Sequence, residues 1–216
     1  ITLRKRVLFV LAALIVFRLL SAIPIPGIDT VELNRFLSNN QFFGILNIFS
    51  GGGLTNLSII MLGVGPYITG SIIMQLLTIM VPALKRIYHE EGEAGRKRFT
   101  QYSRLLTVPL AAIQGFALLA ILESQNILVN LTAFDRVTNL IIVIAGSMLL
   151  MWLGELVSEF GIGNGVSLII FAGIVAAFPA QVSQILFTFD VSQIPLYLVF
   201  AVVGLLVIAG IVLVTE

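Results

Sequence analysis

The chain has 216 residues, 58% of them apolar and 11% charged. Soluble domains run at roughly 45–50% and about 25%, so a water-soluble fold and intrinsic disorder are both excluded, and with a mean hydropathy of +1.08 the excess apolar surface must face lipid. A net charge of +1 offers no global field for nucleic acid, and the lack of cysteine excludes a disulfide framework, a thiol nucleophile and a sulfur-ligated zinc site.

Six apolar stretches follow in chain order, at roughly 7–25, 59–84, 105–122, 137–154, 166–182 and 194–214. A helix needs about 20 residues to cross the hydrocarbon core, and backbone groups in lipid must be satisfied within the segment. The run Ile141-Ile142-Val143-Ile144 lacks the alternation of a barrel strand. The expected fold is therefore an all-α polytopic membrane protein with six transmembrane helices. Arg18 interrupts the first span, where it either snorkels or faces protein. Arg4-Lys5-Arg6 ahead of that span imitates a signal-peptide n-region, but Ile23-Pro24-Ile25-Pro26 stands where small residues for cleavage would be. Span 1 reads as a retained anchor. The opening at Ile1 and the stop at Glu216, just after an apolar run, read as a piece of a longer chain.

Orientation follows the positive residues. Arg4, Lys5 and Arg6 precede span 1, and Lys85, Arg86, Arg96, Lys97, Arg98 and Arg104 lie between spans 2 and 3. Arg35 and Arg136 fall in the loops after spans 1 and 3. This asymmetry predicts a cytoplasmic N-terminus. The loop after span 4 carries Glu155 and Glu159 and adds little, since acids count weakly.

The external loop at about 26–58 is not simply polar. Phe42-Phe43-Gly44-Ile45-Leu46-Asn47-Ile48-Phe49 is apolar but too short to span, and Ser50-Gly51-Gly52-Gly53 follows as an expected flexible hinge. Two readings fit: a movable re-entrant element in a protein cavity, or an interfacial helix on the outer leaflet. In span 2, Gly63-Val64-Gly65-Pro66-Tyr67-Ile68-Thr69-Gly70 predicts a kinked or softened helix. Gln75 and Gln114 stand in apolar runs and need partners, either across a helix interface or in a wet gate. The loop 85–104 mixes both signs and serves as a topology anchor or as a docking surface for a partner or anionic lipid. Gly161-Ile162-Gly163-Asn164-Gly165 imitates a dinucleotide fingerprint, but the third glycine is misplaced and no strand precedes it; a tight turn suffices.

Catalytic machinery is not expected. The only histidine, His89, lies in a charged loop, no Gly-x-Ser-x-Gly elbow occurs, and no His or carboxylate set has metal-ligand spacing. Glu155, the nearest case of a membrane carboxylate, reads as facing the cytoplasm.

Several motifs together resemble the bacterial SecY family, the central subunits of protein-conducting translocation channels. They are Ile23-Pro24-Ile25-Pro26-Gly27-Ile28, Phe49-Ser50-Gly51-Gly52, Pro66-Tyr67-Ile68, Gln75-Leu76-Leu77-Thr78 and Glu91-Gly92-Glu93-x-Gly95-Arg96. Met151-Trp152-Leu153-Gly154-Glu155, Gly161-Ile162-Gly163-Asn164-Gly165 and Ile169-Ile170-Phe171-Ala172-Gly173-Ile174-Val175 follow in the family's order, over about residues 7–180. The resemblance implies the first half of an inverted-repeat ten-helix channel. Residues 1–182 would hold helices 1–5 and a re-entrant plug helix at about 42–57, and 183–216 an external loop and helix 6.

It further implies a pore ring of Val64, Ile68, Val166 and Ile170, each pair at i, i+4 on one helix face, which would seal by dewetting. Val64 and Val166 stand where related sequences often carry isoleucine, implying a slightly wider ring. The plug and its hinge would comprise Phe43, Ile45, Leu46, Ile48, Phe49, Gly51, Gly52 and Gly53, and Thr69 and Gln114 would belong to a lateral gate between spans 2 and 3. Implied partners are the small membrane subunits SecE and SecG, the motor ATPase SecA or a ribosome, a secretory polypeptide with its signal sequence, and lipid. No direct nucleic-acid contact, cofactor, metal or catalytic residue is implied. The implied location is the bacterial cytoplasmic (inner) membrane. The alternative is half of a secondary small-solute transporter, which should show polar or ionisable groups at mid-span of its broken helices.

Overall fold

The computed structural model describes residues 1–215, apart from the side chain of Phe49. Helix dominates, and among the described residues no strand forms beyond two isolated bridges. The helices are α1 (Thr2–Ser21), α2 (Thr30–Asn39), α3 (Gln41–Phe49), α4 (Gly65–Met80) and α5 (Pro82–His89). They continue with α6 (Gly92–Ser124), α7 (Ala133–Phe160), α8 (Gly165–Phe187) and α9 (Ile194–Thr215).

The apolar runs account for the long helices. By length and apolarity α6, α7, α8 and α9 (with the 3-10 turn before it) are each able to cross a membrane. α4 and α5 add a fifth span if the pair, bent by 109°, counts as one. α1 has 20 residues, but Arg4, Lys5, Arg6 and Arg18 interrupt its apolar surface. The chain is thus an all-α multi-pass membrane protein.

The second apolar stretch differs from a single kinked helix. Residues 51–64 run through consecutive turns, with Gly63 at φ 60° and Leu57 at φ 42°. Pro66 then sits in the first turn of α4, where its missing N–H would have had no helical partner. So this proline starts the helix and does not kink it. The sharp break comes later, at Val81, held extended (φ −111°, ψ 108°) by the ring of Pro82.

The loop after α1 is also more ordered than a loop. Asp29 caps α2, its carboxylate accepting from the Val31 and Glu32 amides at 3.0 and 3.2 Å. The Ile-Pro-Ile-Pro segment pairs antiparallel with residues 57–59: Ile25 N donates to Leu57 O at 2.9 Å and Ile59 N to Ile23 O at 3.0 Å. Both N–H groups of the segment are thus paired without a helix, Ile23 N donating to Leu20 O at 3.2 Å. The stretch 85–104 is mostly helical, shared between α5 and the first turns of α6, with the chain reversing at Glu90-Glu91.

Two apolar clusters hold residues 1–177, which form one compact unit. One gathers Ile25, Leu33, Leu54, Leu57, Leu122 and Ile127 with Val143 of α7. The other joins Phe17 of α1, Ile60, Val64, Leu150 and Val157 of α7, and Ile169 of α8. α7 starts with a capping box in which Thr132 N donates to Asp135 Oδ2 at 2.9 Å and Asp135 N to Thr132 Oγ1 at 3.2 Å. The second compact unit, Phe178–Glu216, contains the end of α8, a 3-10 turn capped by Asp190, and α9.

Candidate functional site

A cavity of about 570 Å³ lies within the first unit, walled by α3, the turns 50–64, α4, α6 and α8. α3 contributes Phe42, Phe43 and Leu46, and the turns add Ser50, Leu54 and Met61. Val64 and Ile68 line it from the start of α4, and Ile170 from α8. Its polar side chains are Ser50, Thr69 and Gln114. The Thr69 hydroxyl donates to its own helix, to Gly65 O at 2.9 Å. Gln114 Oε1 lies 3.9 Å from where a Cβ at Gly65 would stand. Gln75, the other amide singled out, is exposed on α4.

The four aliphatics expected as a ring belong to one apolar cluster, with Val64 among its buried members and Ile68, Val166 and Ile170 packed against it. Three of them reach the cavity wall. Val166 turns toward α7, its Cγ2 only 3.1 Å from where a Cβ at Gly154 would be.

Of the expected plug residues, Phe43 and Leu46 face the cavity. Phe43 also packs against Phe36 of α2, ring centroids 4.9 Å apart and planes tilted by 51°. Ile45 is 54% exposed and lies off the cavity. The side chain of Phe49 lies outside the described residues.

The three glycines after α3 form a packed turn in which each amide is used. Gly51 N donates to Ile48 O at 3.1 Å, Gly52 N to Asn47 O at 2.8 Å, and Gly53 N to Ser50 O at 3.3 Å. Asn47 spans the turn, accepting from Thr55 N at 2.9 Å and donating to Thr55 Oγ1 at 2.6 Å. Glycine is required here for two reasons. Gly51 has φ 70°, and a Cβ on it would fall 2.1 Å from Cζ of Phe17. From α8, a Cβ on Gly173 would fall 2.5 Å from Gly51 Cα. Arg18 of α1 completes the enclosure, its Nη1 donating to Gly51 O at 3.2 Å. Sequence reasoning left Arg18 without a partner, because this bond joins residues 33 positions apart.

The basic residues lie apart from the cavity. Lys85 and Arg86 are exposed on α5, and Arg96, Lys97, Arg98 and Arg104 on α6. Arg98 pairs with Glu91 at 3.3 Å, and Arg104 Nε donates to Glu155 Oε1 at 2.7 Å. The second pair joins α6 to α7, so Glu155 answers a specific cation. Arg96, Lys97 and Arg104 share a depression of about 420 Å³ with Thr100 and Gln101. His89 is exposed on α5, its ring against Tyr88, and among the described residues no cluster of His, Asp or Glu is arranged to hold a metal ion.

Together these features define a multi-pass helical membrane protein in which a short apolar helix lines an apolar cavity with α4, α6 and α8. The model of the SecY family matches residues 58–216. Protein translocase subunit SecY of Buchnera aphidicola subsp. Acyrthosiphon pisum is 44% identical over 188 residues, covering 84% of this chain and 43% of that protein. The Escherichia coli K12 subunit of the same name is 45% identical over 188 residues, covering 84% and 42%. That of Streptomyces galbus is 44% identical over 192 residues, covering 82% and 44%. The chain belongs to the SecY family, and it spans less than half the length of these three relatives.

Proposed function

We propose that this chain is the first half of the central, pore-forming subunit of a protein translocase, which passes unfolded secretory polypeptides across a bacterial cytoplasmic membrane. Residues 1–182 act as the N-terminal half and 183–216 begin the second. The carrying observation is convergence: Phe43, Leu46, Val64, Ile68, Thr69, Gln114 and Ile170 line one apolar cavity. In this reading α3 and its glycine turn are the plug. Val64, Ile68 and Ile170 form the constriction, with Val166 packed on α7 beside them, sealing by dewetting and offering no hydrogen bonds that would select among polypeptide sequences. α4 and α6 form one side of a lateral gate at Thr69 and Gln114, through which apolar segments leave for lipid.

The same reading puts the N-terminus and the exposed cations of α5 and α6 on the cytoplasmic side. It pairs the subunit with SecE and SecG, and with SecA or a ribosome as the source of drive, since no phosphate-binding loop occurs in this sequence. The protein acts as a conduit without chemistry of its own. A small-solute transporter would want ionisable groups around its site, and the polar lining here is limited to Ser50, Thr69 and Gln114.

The test uses the full-length chain in its membrane complex with a secretory precursor stalled midway. Single cysteines at Ile68 and Ile170 should form disulfides with a cysteine in the precursor. A cysteine at Ile141, 59% exposed on α7, should not. Absence of crosslinks from both cavity positions in a verified stalled intermediate would refute the assignment.

A further inference from the structure

On the strength of the plug reading above, we infer that Arg18 is the latch that holds the plug turn shut. Arg18 stands in the last turn of α1, directly after the buried Phe17, as the one charged side chain in the run from Val7 to Ser21. It finds a partner in the backbone of the glycine turn, Nη1 donating to Gly51 O at 3.2 Å. The same glycine is pressed from α1 by the Phe17 ring and from α8 by Gly173. A second bond binds the segment to α1 further on, Asn56 Nδ2 donating to Ser21 O at 3.4 Å. α1 therefore grips residues 51–56 at two points, and one of them is charged.

The choice of atoms matters. A bond to a backbone carbonyl survives side-chain variation in the turn, and a charged donor binds more strongly than a neutral one. Because the Asn47–Thr55 bonds join α3 to the chain beyond the turn, fixing Gly51 also fixes α3 in the cavity. Arg18 is a positioning residue: it touches the turn and acts on the passing polypeptide only through the plug. Hydrogen bonds to charged groups of this kind correspond to about a ten- to hundredfold shift in a two-state equilibrium. Loss of the bond should move the resting closed–open balance by about that factor.

The test uses the full-length channel assembled with its partner subunits in phosphatidylethanolamine–phosphatidylglycerol vesicles. A membrane-impermeant maleimide reports on a cysteine at Leu54, 2% exposed within the segment, or at Ala111, 0% exposed on α6 and outside the apolar cluster that holds Leu54. Arg18→Leu should speed labelling of L54C about tenfold or more and leave A111C unlabelled. Arg18→Lys, which keeps a cationic donor, should return L54C close to its resting rate. Three results would overturn the latch: an unchanged L54C rate in Arg18→Leu, a parallel rise at A111C (general loosening of the bundle), or Arg18→Lys labelling as fast as Arg18→Leu. A stalled precursor added to the L54C channel with Arg18 intact separates the two levels. No faster L54C labelling there removes the plug reading itself. Faster labelling there, with Arg18→Leu still at the resting rate, removes only Arg18.

Discussion

Gly173 of α8 stands so close to Gly51 that a Cβ at position 173 would lie 2.5 Å from the Gly51 Cα and 3.0 Å from the Ile48 carbonyl oxygen. The contact is backbone against backbone, so no side chain can rotate away to make room. Gly173→Ala should displace the turn and destabilise the folded chain by about 1–3 kcal/mol, as overpacking does. A thermal melt of the detergent-purified full-length protein reads this directly. An unchanged melting temperature would mean that α8 yields freely at this point.

Gly51 carries two separable penalties for substitution. Its φ of 70° strains any residue with a side chain, and the Phe17 ring fills the space a Cβ would need. Phe17 is 2% exposed, and Phe17→Ala alone should cost about 3–5 kcal/mol. The double variant Gly51→Ala/Phe17→Ala should lose less stability than the sum of the two singles, because removing the ring relieves the clash and leaves the backbone strain. Additive losses in a denaturant titration would contradict the contact.

Thr132 and Asp135 close the start of α7 by bonding each other's backbone amides. Thr132→Ala should destabilise that helix end by about 1 kcal/mol. Hydrogen exchange should speed up at the first-turn amides of α7 and stay unchanged at mid-helix.

The Arg104–Glu155 pair, at 2.7 Å, ties α6 to α7 near one end, as Arg136–Glu123 does near the other, and its side chains are 45% and 19% exposed. Solvent screening limits its worth. Glu155→Gln should shift stability by no more than about 1 kcal/mol, and high salt should shrink the difference further. A larger loss that salt does not touch would assign Glu155 a role beyond this pair.

The long apolar runs announced α6 to α9 because hydropathy over 20 or so residues leaves few alternatives in lipid. The same measure misled at 59–84. Hydropathy registers apolar side chains and does not tell a helix from a buried series of turns, so residues 59–64 read as span. Pro66 carried the missing information, because proline is at home in a first turn. α2 escaped notice within a long loop, although Asp29 followed by Leu33, Phe36 and Leu37 at helical spacing was a readable start signal. The i, i+4 spacing of Val64 and Ile68 placed both on one face, and both line the cavity. Val166 shares the face of Ile170 by spacing yet turns to Gly154, a contact that depends on how α8 packs on α7. Gly51, Gly52 and Gly53 read as freedom of motion. In the folded chain they permit positive φ at Gly51 and Gly52 and close approach by Phe17 and Gly173. Composition alone does not distinguish these uses.

The central claim is that α3 closes the cavity at rest and leaves it when a polypeptide enters. Leu46 of α3 and Ile170 of α8 line that cavity together. The most direct measurement is a crosslink between cysteines at these two positions in the full-length channel, formed with a short thiol reagent at rest and again with a precursor stalled inside. The account predicts efficient crosslinking at rest and its loss with the precursor in place. Equal crosslinking in both states, with the precursor verified as inserted, would contradict it.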